Sequence, residues 1–90
     1  MKISEKDLHP HLRKRMKERG VSFDDINITL EFGNLVDDAK IGTFGKKYVF
    51  TYNSYWEKIF YKFKEVYVYY KLIENKHIVL TVIARYGDKF

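Results

Sequence analysis

The stretch VYVYYKLIENKHIVLTVIARY, residues 66–86, decides the fold. Val66, Val68, Tyr70 and Leu72 alternate with Tyr67, Tyr69, Lys71 and Ile73, the period-two pattern of a strand with two unlike faces. Glu74-Asn75-Lys76 is a polar turn, and His77 to Tyr86 returns as a second strand dense in β-branched residues. The alternation sets Tyr67 and Tyr69 on the face opposite Tyr70. Upstream, Lys46 to Asn53 reads as a further strand, with Val49 and Thr51 alternating against Tyr48, Phe50 and Tyr52. Residues 54–64 are double-valued: Trp56, Ile59, Phe60 and Phe63 fit a helical spacing, yet their aromatic density favours a strand or irregular hairpin. Asp37 to Gly45 reads as a loop, with Gly42 and Gly45 bracketing Thr43-Phe44.

The N-terminal half carries helical punctuation instead. Pro10 suits a first helical turn and biases His9 towards extended backbone, so a helix is predicted over residues 10–19. Leu12 and Met16, four apart, mark its buried stripe, and Gly20 stops it after Lys17 and Arg19. Ser22-Phe23-Asp24-Asp25 then reads as an N-cap with an acid three residues on, and Val21 is placed to staple onto Ile26. Phe23, Ile26 and Leu30 line one face of this second helix, and Gly33 ends it. The predicted class is α+β: two N-terminal helices on a C-terminal antiparallel sheet of about four strands.

Ninety residues, 46% of them hydrophobic, match one domain spanning residues 1–90, with one core. Eight Tyr, seven Phe and one Trp supply area that a short chain cannot gain from size. There is no cysteine, so disulfides and thiolate zinc sites play no part. No stretch has the apolar length of a signal peptide core or a membrane span, which makes the cytoplasm the expected compartment.

Charge is distributed in blocks. Residues 1–20 hold seven Lys/Arg against three acids, a balance of +4. Residues 21–45 hold one against five, −4, and residues 46–90 hold nine against four, +5. Basic surfaces of this kind attract polyphosphate and equally serve solubility. On a wheel of the first helix, His11, Arg15 and Arg19 form one strip beside the Leu12–Met16 stripe, with Arg13, Lys14 and Lys17 nearer solvent. A guanidinium at the margin of a core needs an anion, either a protein carboxylate or a phosphate. The residues alone leave both open.

The segment from His11 to Ser22, HLRKRMKERGVS, resembles the first-helix signature H-A-x-x-R-M-x-x-R-G-[IV]-S of a bacterial and phage family. That family is grouped with BrnT and RelE-like toxins, in the superfamily named after barnase, EndoU, colicin ribonucleases and RelE. Leu12 stands where the pattern has Ala, and the aromatic segment from Tyr52 to Phe63 is longer than the pattern expects. Ile78 to Ile83 is similar to the family's last strand, which often holds a Thr. The resemblance implies a metal-independent RNA-cleaving site between the first helix and the sheet, in a chain that would be the toxin of a toxin–antitoxin pair. His11 would then be the acid or base, Arg15 and Arg19 would clamp phosphate, and Thr81 and Arg85, four apart on one strand face, would add a hydroxyl and a cation. Lys14 and Tyr86 are the expected RNA contacts, and RNA and an acidic antitoxin the expected partners.

No cofactor or metal is called for: His9 and His11 splay at a helix onset, and no Walker loop, GxGxxG or nucleophilic serine motif is present. The competing reading is a non-catalytic RNA- or protein-binding module, in which His11 is structural and the tyrosine-rich sheet, Tyr67, Tyr69 and Tyr70, is the working surface.

Overall fold

The computed structural model describes residues 8–90. Helix α1 spans Pro10–Arg19 and helix α2 spans Phe23–Phe32. His9 is the N-cap of α1, extended at φ −66°, and its Nδ1 accepts the His11 amide at 3.1 Å. Gly20 adopts the left-handed conformation at φ 69° that closes α1, and Val21 N–H donates to the Met16 carbonyl. A Cβ at Gly20 would lie 2.7 Å from the Trp56 ring, so only glycine fits. Ser22 and Asp25 form the expected capping box of α2, each side chain accepting the other's backbone N–H at 3.0 Å.

Four antiparallel strands follow in the order β1-β2-β3-β4: Asn34–Leu35, Phe44–Trp56, Ile59–Ile73 and Lys76–Gly87. The α+β architecture anticipated from the pattern is what forms. Residues 54–64 are the tip of the β2–β3 hairpin, and the helical spacing there carries no helix. Two-residue turns at Glu57-Lys58 and Glu74-Asn75 have both residues at positive φ, the pattern whose twist matches a right-twisted hairpin. The short β1 lies within sequence that lacks alternation. It forms because α2 ends at Gly33, whose missing Cβ lets the chain come against the Lys47 carbonyl.

Both helices cover one face of the sheet. α1 packs on β4, and α2 on β2 and β3. Leu8, Leu12, Val21, Ile26 and Leu30 meet Val66, Val68, Tyr70 and Val82 in the core, with Met16 and Phe23 partly buried against it. Lys64 ties the layers together. Its ammonium donates to Asp25 Oδ2 at 2.7 Å and to the Gly20 carbonyl at 2.9 Å.

Candidate nucleic-acid interface

Because directly opposed residues share a sheet face, the register sorts the candidate residues. Val68 opposes Val82 and Lys64 opposes Tyr86, both on the helix side. Tyr69 opposes Thr81, Tyr67 opposes Ile83 and Glu65 opposes Arg85, all on the helix-free side. Thr81 and Arg85 do share a face, but the sheet separates it from His11, Arg15 and Arg19. A five-residue site between α1 and the sheet is therefore not assembled.

The other expected site residues each have a definite place. Arg19 donates to the backbone carbonyl of Val82 in the edge strand β4. Arg85 reaches the buried Glu65 carboxylate at 3.3 Å. Lys14 is exposed and lies 4.0 Å from Glu18, one turn on. Tyr86, the other expected RNA contact, is packed among its own neighbours. Its ring stacks on Trp56 at 5.0 Å and 9°, flanked by Tyr52 and Tyr61, and its hydroxyl donates to the Arg19 carbonyl at 2.8 Å. Burial, with the nearby Tyr52, Asp25 and Glu57 adding, pushes that phenol far above its ordinary range. His11 and Arg15 alone of the strip remain exposed, one turn apart, with the His11 ring stacked on His9 at 5.1 Å. Among the described residues, Arg15 makes no hydrogen bond or ion pair.

The helix-free face holds a different constellation. Tyr67 and Tyr69 stack side by side along β3, ring centroids 6.4 Å apart and 12° from parallel. The Tyr69 ring lies over Gly45, where a Cβ would come within 2.9 Å of it, and its hydroxyl donates to Asp38 Oδ1 at 3.2 Å. Partial burial, helped by the Asp38 charge, raises the Tyr69 pKa. These contacts hold the ring in one place while leaving it half-exposed.

A hollow opens beside each ring. One, of about 400 Å³, is lined by Asp38, Lys40, Thr43, Tyr69, Leu80 and Thr81. The other, of about 250 Å³, is lined by Leu35, Val36, Asp37, Lys47 and Tyr67. Asp38 borders both. Leu80 joins the first because a register shift between Tyr69 and Tyr70 leaves it without a partner in β3. Lys71, one residue past Tyr70, extends the same face and opposes Ile78. Sequence reasoning singled out Tyr67, Tyr69 and Thr81 but missed Asp38, Lys40 and Lys47. The usable signal was Gly45 itself, since a glycine inside a strand marks close approach by another group.

Among the described residues, no three His, Asp or Glu side chains converge as a metal-holding group, and no helix is long and apolar enough to cross a membrane. No curated protein and no solved structure matches the chain significantly. A family profile does match residues 8–84, spanning both helices and nearly all of the sheet, and the chain belongs to that family, the domain of unknown function DUF4258.

Proposed function

We propose that this domain binds single-stranded RNA on the helix-free face of its sheet, in the cytoplasm. The observation that carries the reading is the Tyr67–Tyr69 pair: two near-parallel rings, positioned by the sheet and flanked by hollows, on a face the helices leave uncovered. Unpaired bases stack on such rings regardless of sequence, each worth about 1–3 kcal/mol. Lys40, Lys47 and Lys71 border the pair and supply cations for the backbone. RNA rather than DNA follows from the resemblance to RelE- and BrnT-like toxins.

A second reading, RNA cleavage, is favoured by one observation. His11 and Arg15 stand exposed and adjacent, and neither contributes to the core. The imidazole would take the 2′-hydroxyl proton and the guanidinium would face the phosphate. The other three members of the expected site are bonded elsewhere or lie across the sheet, so binding is the reading we favour. A capping antitoxin belongs to this second reading.

Incubating the purified protein with labelled single-stranded RNA tests both. The binding reading expects a salt-sensitive retarded band and intact RNA. Cleavage that His11→Ala abolishes would establish the second reading, and RNA that is neither retarded nor cut would remove both.

A further inference from the structure

Resting on the RNA-binding reading above, we infer that the 400 Å³ hollow beside Tyr69 is a base-selecting subsite for guanine. Its walls are mostly apolar, from Leu80, the Tyr69 ring and the methyl groups of Thr43 and Thr81, so the few polar atoms decide which base is accepted.

The protons of those polar atoms are largely committed. The Thr43 hydroxyl donates to the Lys40 carbonyl at 2.6 Å, which leaves its lone pairs facing outward as acceptors. The Tyr69 hydroxyl donates to Asp38 Oδ1 and is left an acceptor in the same way. Asp38 Oδ2 has no hydrogen-bond partner among the described residues and is an acceptor by nature. Three acceptors thus belong to the lining of a hollow whose remaining side-chain donors come from Lys40 and the rotatable hydroxyl of Thr81.

The bases differ on this point. Guanine alone presents two adjacent donors on one edge, the ring N1–H and the exocyclic amino group, which match a carboxylate. Adenine and cytosine set an amino group beside an acceptor nitrogen that the carboxylate repels. Uracil sets its single N–H between two carbonyls. Stacking on Tyr69 holds any base, and Asp38 discriminates among them. Lys40, an exposed residue lining the same hollow, suits the attached phosphate.

The test is competition between short oligouridines that carry one central G, A or C, read by fluorescence anisotropy, with guanosine monophosphate as a free-nucleotide competitor. The wild type should bind the G-containing strand about ten-fold more tightly than the others. Asp38→Asn keeps an oxygen for Tyr69 but turns the other acceptor into a donor, so its preference for the G-containing strand should be lost, with that strand bound no more tightly than the wild type binds the A-containing one. Displacement of the oligonucleotide by the monophosphate would show that the subsite takes the free nucleotide as well as the base within a chain. Equal wild-type affinities, or a preference for the G-containing strand that survives in Asp38→Asn, overturn the guanine subsite while leaving RNA binding intact. Absence of binding to any strand overturns both.

Discussion

Lys64 shows how a single side chain can hold two layers in register. Its side chain is only 10% exposed, and its ammonium bridges Asp25 and the Gly20 carbonyl and lies 5.9 and 5.4 Å from the ring centres of Phe50 and Tyr52. Lys64→Ala leaves Asp25, whose side chain is 14% exposed, without its countercharge and with only the Ser22 N–H as partner among the described residues. A cost of about 3–5 kcal/mol is expected in urea denaturation, and a loss below about 1 kcal/mol would contradict this role. His77 makes a pH-dependent contribution. Burial and the nearby Lys46 hold its pKa below the ordinary 6.5, its Nδ1 is buried without a hydrogen-bond partner among the described residues, and its ring lies against Tyr70 at 4.7 Å. The folded state therefore takes up the proton less readily than the unfolded chain. This contribution is complete above pH 6.5 and declines as pH falls below it, until the folded-state ring also protonates. His77→Phe should flatten the decline in stability as pH falls below 6.5, relative to wild type. An unchanged slope would show that the proton goes elsewhere.

At the scale of elements, helix ends and hairpins were legible because local chemistry dictates them. Pro10, Gly20, the Ser22–Asp25 box and Gly33 mark the ends that the structure shows. Removing the box with Ser22→Ala should cost about 1 kcal/mol in thermal or urea unfolding. The turns carry a removable strain. Lys58 sits at φ 73°, which disfavours any side chain, so Lys58→Gly should stabilise the β2–β3 hairpin by up to about 1 kcal/mol. Destabilisation by that variant would mean that the lysine side chain contributes a contact that outweighs the strain. The site was less legible than the elements. In β4, Ile78 to Ala84 is apolar at nearly every position, so alternation could not tell which face the helices cover. The resemblance placed Thr81 and Arg85 beside the helix strip, whereas burial of Val82 turns them away from it. Much of the helix signature itself has structural work: Met16 packs on the core, Arg19 holds β4, Gly20 makes room for Trp56, Val21 is buried and Ser22 caps α2. Only His11 and Arg15 are left exposed without such a task.

Taken as a whole, the molecule is two-sided. One side of the sheet is closed by helices, and the other presents aromatic rings bordered by Lys40, Lys47 and Lys71. If those three cations meet phosphates, the logarithm of the RNA affinity should fall against the logarithm of salt with a slope of about −2. Lys47→Ala should reduce that slope by about 0.7. A slope unaffected by Lys47 would move the backbone contacts to another surface, with the basic exposed side of α1 the next to examine. The most direct test of the central claim is an anisotropy titration of a labelled single-stranded RNA with wild type and with the folded Tyr67→Ala/Tyr69→Ala double variant. At fixed low salt, the double variant should bind at least ten-fold more weakly, while Arg15→Ala, across the sheet, binds as wild type does. Equal affinity of wild type and the double variant, or a loss confined to Arg15→Ala, would contradict the assignment of RNA to the helix-free face.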